Sequence, residues 1–495
     1  MIALAACNGD QSVGSGRLPS GLTVIAGSDV SDTVEALLQA DLLVQLADKQ
    51  GKAMKGADVA FEGASEPASV RPLIQVARVG SSAFALGVVV RTDGDGKAAA
   101  RIRLGQSAGE VRVRIRSMRD STVTASATYR VNAGNAVRLV LAPRDTAVYV
   151  GRSVTIRAQS ADRFGNLVAA APTMSTGSPI ATVAATTVTA TAIGRTIVRG
   201  IVGGARDSVY LSIPPVGVIA ALVDRVSTSE PVRYVMVGLD GSGLVTRATV
   251  DGFAEAGLAF SPSGGEVLYG NGSHTTTLLR AGTGAATPFF QVPLPLASSA
   301  FPRYSRDGAW VYFAGRPGHQ NGEIWRARAD GSSAERVGAA ADDFALESHP
   351  DPSPDGTRVV YGTNRVNSTM PVLRLLDVAT RAIDSVDLPG LTPRWSPDGQ
   401  SIAYVTAVPQ WGYLEHNRVM RSTGQLALAN AQGRNPRLIP VAGARQWMPH
   451  IDFSPDSRYL IAASSAGILE VVDVRTGETI PLAHTLRYLM PTWKP

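Results

Sequence analysis

One short turn recurs five times in the second half of the chain. Phe260-Ser261-Pro262-Ser263-Gly264 returns as Tyr304-Ser305-Arg306-Asp307-Gly308, Pro352-Ser353-Pro354-Asp355-Gly356, Trp395-Ser396-Pro397-Asp398-Gly399 and Phe453-Ser454-Pro455-Asp456-Ser457. The serine-to-serine intervals are 44, 48, 43 and 58 residues. Proline presets φ, and the Asp-Gly pair closes a tight turn. Behind the turns stand short apolar runs, Val267-Leu268-Tyr269, Val311-Tyr312-Phe313, Val359-Val360-Tyr361 and Ile402-Ala403-Tyr404, then a variable loop and a second hairpin. A repeat of this period restricts residues 216–495 to an architecture of equivalent units.

Four strands per period of roughly 40 to 50 residues match a propeller blade. Val218-Ile219-Ala220-Ala221-Leu222 and Tyr234-Val235-Met236-Val237 read as a blade lacking its innermost strand. Met490-Pro491-Thr492-Trp493-Lys494-Pro495 aligns with Thr392-Pro393-Arg394-Trp395-Ser396-Pro397 and supplies that strand. The closure hides both sheet edges and predicts six blades. The repeat resembles that of TolB-type propellers, seen also in prolyl oligopeptidases. By that resemblance the chain is expected in the periplasm as a binding protein. TolB itself contacts a peptidoglycan-associated lipoprotein, but this chain carries other modules where TolB has an α/β domain.

In a propeller the loops at the two ends of each strand emerge on opposite faces. His274, His319 and His416 fall in loops between the second and third strands. His349 and His450 lie at the start of innermost strands, and His484 between blades, so all six histidines map to one face. Trp411 and Tyr413 occupy the longest loop of that face, and Trp447 precedes an innermost strand nearby. The opposite face holds the standardised turns. Binding is expected on the variable face, with His349, His450, Trp411, Tyr413, Trp447 and His319 as its candidates. Two residues before each motif serine stand Ala259, Arg303, Asp351 and Arg394, then Asp452, with Thr492 at the equivalent place. Arg303, Asp351, Arg394 and Asp452 suggest a charge-paired ring about the axis, read either as a ligand pocket or as mutually satisfied charges. Histidines on different blades offer no metal-ligand spacing; neither metal nor cofactor is expected.

The first half alternates short β runs with turns. Leu43-Val44-Gln45-Leu46-Ala47-Asp48, Gly56-Ala57-Asp58-Val59-Ala60-Phe61 and Val89-Val90-Arg91-Thr92 surround the turn Asp93-Gly94-Asp95-Gly96-Lys97, which predicts a hairpin. Residues 33–46 are ambiguous with helix, and the following turn favours a strand. Over residues 18–134 this order resembles invasin-type bacterial Ig-like domains. Residues 135–215, with Val137-Arg138-Leu139-Val140-Leu141 and Ser208-Val209-Tyr210-Leu211-Ser212, are similar to a second bacterial Ig-like group. A calcium-loop reading of Asp93 and Asp95 fails, because Lys97 and Leu104 stand where ligands belong. Arg112, Arg114 and Arg116 share one strand face. No aromatics interleave to stack bases, so a solvated face is preferred to a nucleic-acid stripe.

Composition limits the rest. Hydrophobic residues are 44% and charged residues 18%, enough for real cores and against disorder over most of the chain. Residues before 215 carry 23 Lys+Arg against 16 Asp+Glu, whereas the remainder carries 24 against 25. The net charge of +6 therefore belongs to the first half. The single cysteine, Cys7, excludes a disulfide framework. Its setting, Leu4-Ala5-Ala6-Cys7 before Asn8-Gly9-Asp10, resembles the lipobox of bacterial lipoproteins, although the basic and apolar leader is missing. That resemblance implies lipidation of Cys7.

The expected fold is all-β: residues 1–17 as signal remnant and linker, two Ig-like β-sandwich modules, then a six-bladed propeller closed by the C-terminal strand. The expected function is that of a non-catalytic exported lipoprotein, monomeric, anchored to the membrane by lipid alone. It would bind an envelope or surface protein, or a cell-envelope polysaccharide, but not nucleic acid. A surface adhesin on an Ig-like stalk and a propeller-only polysaccharide lyase are the alternatives. No Gly-x-Ser-x-Gly elbow is recognised, and no room is left for a hydrolase domain beside the propeller, so peptidase activity is not expected.

Overall fold

In the computed structural model, the described residues are 18–65, 72–223, 232–250, 257–271, 277–282, 286–291, 294–317, 322–338, 344–365, 370–406, 423–443, 445–482 and 488–495. They form strands, turns and bends, with no helix among them. No described helix is therefore long and apolar enough to cross a membrane. The chain divides into two compact units. One comprises Met1–Ala142, Arg157–Met174 and Arg199–Asp207; the other comprises Pro143–Ile156, Ser175–Val198 and Ser208–Pro495.

The first unit contains two five-stranded sheets that share one core. Leu42–Asp48, where helix and strand competed in the sequence, is a strand with alternating burial. Gly109–Ser117 buries Val111, Val113 and Ile115 while Arg112 and Arg114 face solvent. Arg112 pairs with Glu110 and Arg116 with Glu62, which neutralises part of the arginine stripe. The Asp93 turn departs from expectation. Asp93 N bonds Lys97 O at 2.9 Å, and the Asp93 carboxylate accepts from Asp95 N and Lys97 N. Yet Gly87–Arg91 and Lys97–Leu104 belong to different sheets, so the turn makes a crossover between layers instead of a hairpin. Local chemistry dictates how tightly the chain turns, not which sheet takes the next strand.

In the second unit, residues 218–493 form six four-stranded antiparallel meanders among the described residues. The first meander is completed by Tyr488–Trp493, which pairs with Val218–Val223. The long strand Ile383–Trp395 serves two meanders: residues 383–389 pair with Pro371–Asp377, and residues 390–395 with Ser401–Thr406. The innermost strands are Leu258–Phe260, Ser298–Tyr304, Phe344–Pro352, residues 390–395, Trp447–Phe453 and Tyr488–Trp493. They touch one another in a closed cycle. This is the arrangement of a β-propeller. An apolar core separates each neighbouring pair of meanders, from Tyr234 against Tyr269 round to Ile219 against Ile461. Strands buried on both sides need apolar residues at every position, which explains runs such as Val311-Tyr312-Phe313.

Four of the five repeated turns are built the same way; in the first, Ser261 Oγ meets Ser263 Oγ instead of an aspartate. Serine Oγ donates to the aspartate two residues on, at 2.6 Å for Ser305 and Ser396 and 2.5 Å for Ser353 and Ser454. The same oxygen accepts the backbone N–H five residues on, at 2.9 Å in all four. One side chain thus satisfies what the bend leaves open.

Candidate functional site

At the other end of the innermost strands, a second feature repeats. Four residues before each motif serine, and at the equivalent place in the last strand, the backbone is left-handed. The residues are Gly257 (φ 84°), Phe301 (56°), His349 (53°), Thr392 (48°), His450 (104°) and Met490 (50°). Pairing with the next strand slips at this point in the third to sixth meanders and in the first. A bulge of this kind re-aims a side chain. Left-handed backbone costs a non-glycine residue roughly 1–2 kcal/mol, and five of the six positions carry that cost.

The bulges gather rings at the axis. The His349 ring stacks on Phe301 with centroids 3.7 Å apart, and His450 lies 5.2 Å from His349 and 6.4 Å from Phe301. Phe301 and His450 stand on meanders three and six, opposite one another in the cycle. Both histidines are buried. His349 Nδ1 meets Ser348 Oγ at 3.0 Å, whereas its Nε2 is buried without a hydrogen-bond partner. Burial, the nearby His450 and the charges of Arg394 and Arg303 hold His349 well below the usual imidazole range. Burial, then the same two arginines, pushes His450 down to about 3. Both imidazoles are neutral at pH 7.

Two residues further along lies the charged layer. Arg303 crosses the axis to Asp452, with Nη2 3.3 Å from Oδ1 and Nη1 3.4 Å from Oδ2, and its Nε is 3.6 Å from Asp351 Oδ1. Asp452 also accepts from Thr492 Oγ1 at 2.7 Å, Trp493 N at 2.9 Å and Phe453 N at 3.2 Å. Asp351 accepts from Trp395 N at 2.6 Å. Burial pushes the Asp351 carboxyl up, against the pull of Arg303 and Arg394. Arg394 donates from Nη1 to Pro393 O at 2.9 Å. Burial, helped by Arg303, lowers Arg394 to about 10, so it stays charged at neutral pH.

Of the residues singled out in the sequence, His349, His450, Arg303, Asp351, Arg394 and Asp452 lie in these two adjoining layers. Trp447 is 1% exposed and packs with Ile451, Phe453 and Leu426 in the core between meanders five and six. Cys7, His274, His319, Trp411, Tyr413, His416 and His484 lie outside the described residues. Phe301, Thr392 and Met490 were missed. The register of Phe301-Pro302-Arg303, His349-Pro350-Asp351, Thr392-Pro393-Arg394 and Met490-Pro491-Thr492 was the available signal. Glu347, on the innermost strand of the fourth meander, was also missed. Its carboxylate accepts from Ile324 N at 3.0 Å, and burial raises it to about 7. The elbow spacing read as absent from the sequence is present at Gly105-Gln106-Ser107-Ala108-Gly109. It joins two strands, Lys97–Leu104 and Gly109–Ser117, where an elbow needs a helix.

No family model matches the chain. An uncharacterized protein of Agrobacterium fabrum is 38% identical over 122 residues, which are 22% of this chain and 40% of that protein. The chain thus spans less than half of the curated relative it matches. Among solved structures, TolB from Acinetobacter baumannii is 15% identical with a TM-score of 0.44, covering 62% of this chain and 80% of that one. An oligogalacturonate lyase from Vibrio parahaemolyticus is 14% identical with a TM-score of 0.35, covering 58% and 85%. At these scores none of those activities carries over to this chain.

Proposed function

We propose that the chain is an exported binding protein of the cell envelope. In this reading a six-bladed propeller, closed by the C-terminal strand, binds a protein or envelope polymer through the axial face bearing His349 and His450. The Ig-like modules act as spacer, and lipidated Cys7 is the anchor. One observation carries the reading: five non-glycine residues are held left-handed at equivalent places around one mouth of the axis, at a cost the fold could avoid with glycine. Strain repeated at one level, with two neutral histidines and an aromatic ring brought together there, supports a ligand-facing surface.

The test is cross-linking of the full chain, in cells, to its partner. His349→Ala with His450→Ala is expected to abolish the cross-linked species while circular dichroism and thermal unfolding show an intact fold. Arg306→Ala, on the turn face, should leave it unchanged. Equal cross-linking by the folded double variant and the parent would exclude the axial face.

A further inference from the structure

The axial charges are unevenly satisfied. Arg303 engages both carboxylates, Asp351 and Asp452, and each carboxylate takes further backbone or hydroxyl donors. Arg394 is 7% exposed, and among the described residues its one hydrogen bond goes to the carbonyl of its own neighbour, Pro393. Its Nε is buried with no partner. On the adjoining innermost strand His349 Nε2 is likewise buried and unpartnered. Burying a guanidinium costs several kcal/mol unless it is paired and its donors are filled. Arg303 Nε also lacks a hydrogen bond, but it sits 3.6 Å from Asp351 Oδ1 in an ion pair. Arg394 Nε and His349 Nε2 lie on neighbouring meanders, one in the charged layer and one in the adjoining layer of strained backbone.

We propose that Arg394 and His349 Nε2 hold a carboxylate of the ligand at the propeller axis. The inference rests on the reading of this face as a binding surface and names the group it takes. A guanidinium fork with Nε and Nη2 unspent matches a planar carboxylate in bidentate fashion. With Ser348 Oγ donating to Nδ1, neutral His349 carries its proton on Nε2 and adds a third donor. The Arg303–Asp452 bridge closes the axis beyond, so the site takes the end of a group and not the run of a polymer. The carboxylate comes either from a free small acid or from a polypeptide's terminus or acidic side chain. Phe301, half-buried and stacked on His349, is the ring that must yield to admit it.

Thermal unfolding of the full chain in sodium acetate, against sodium chloride at equal ionic strength, tests this directly. Acetate is expected to raise Tm, above its Kd in proportion to the logarithm of its concentration, as a ligand of the native state does. N-acetyl-Ala-Ala with a free carboxylate should do the same, and its C-terminal amide should not. Arg394→Gln should abolish the acetate response, and Arg306→Gln should retain it. If Arg394→Gln fails to fold, Arg394→Lys, which keeps the charge and loses the fork, should weaken acetate about tenfold. In the parent chain, acetate should also shift the His349 Nε2 resonance in 15N-histidine spectra. A response to acetate without one to the peptide acid assigns the site to a free small acid. No acetate response, or an equal one in Arg394→Gln, overturns the inference. If acetate has no effect through Arg394 while partner cross-linking persists, the inference falls while the functional reading stands. If acetate binds through Arg394 but no partner is cross-linked, the reverse holds.

Discussion

The two ends of the innermost strands pose the same backbone problem and solve it differently. At the turn end, four of the five repeated corners place glycine in the left-handed region: Gly264, Gly308, Gly356 and Gly399, at φ 66–73°. At the axial end, the equivalent conformation falls on Phe301, His349, Thr392, His450 and Met490, with glycine only at 257. Where the fold needs a bend for its own sake, the residue with no Cβ supplies it at no steric cost. Where a side chain must be delivered, strain is tolerated. The contrast separates scaffold from candidate site more sharply than exposure does, since both histidines are buried.

The largest effect expected from breaking this contrast is in the charged layer. Asp452→Ala removes the acceptor shared by Arg303, Thr492, Trp493 N and Phe453 N. A buried cation left with one distant carboxylate should cost about 3–5 kcal/mol, read as a lower denaturation midpoint. Glu110→Ala, which frees the exposed Arg112, should cost at most about 1 kcal/mol. Equal losses would mean that the axial layer is no more than another solvated ion pair.

A smaller effect is expected on the innermost strand of the fourth meander, and it depends on pH. Glu347 accepts from Ile324 N, while Glu323, paired with Arg336 at 3.0 Å, lies close enough to oppose its ionisation. Burial raises Glu347 from 4.5 to about 7. Between those values the folded chain keeps a proton that the unfolded chain has lost. Stability therefore falls as pH rises from about 4.5 through about 7, then levels off. From 4.5 to about 7, at 1.36 kcal/mol per unit, the penalty is on the order of 3 kcal/mol. Glu347→Gln, which keeps the acceptor for Ile324 N, should be more stable than the parent by about 3 kcal/mol at pH 8 and by less than about 1 kcal/mol at pH 5. Denaturant unfolding at both pH values checks the sign; a gain at pH 5 alone would refute it.

The unequal legibility of the two ends has physical causes. The turn end is written in residue type, since Pro, Asp and Gly each act locally, and its spacing disclosed the meanders and the level of Arg303, Asp351, Arg394 and Asp452. The axial end was half legible. The histidines were located by counting back from the serine, but propensity argues against left-handed Phe, Thr or Met, so the layer as a whole escaped notice. Trp447 illustrates the opposite failure. An aromatic at a strand start reads as a face residue, yet a strand buried on both sides has no polar face to show. Glu347 was invisible because its burial depends on Ile324 N from the neighbouring meander, a partner that no local pattern announces.

The smallest effect concerns the one corner that breaks the glycine rule. Ser457 occupies the glycine position of the fifth turn at φ 61°, and its Oγ accepts Asp398 N from the neighbouring corner at 3.0 Å. Ser457→Gly relieves strain of about 1 kcal/mol. The lost bond is exposed and water replaces it, so its net worth is below about 1 kcal/mol. Glycine's greater freedom in the unfolded chain takes back part of the gain. The expected result is a stabilisation of a few tenths of a kcal/mol, seen as a slightly higher Tm with partner cross-linking unchanged. His349→Gly relieves the same strain at the axial end, yet it should abolish cross-linking, because there the side chain is what the bend delivers. If both glycine variants leave cross-linking intact, the axial bulges are scaffold like the turns, and the distinction between the two ends disappears.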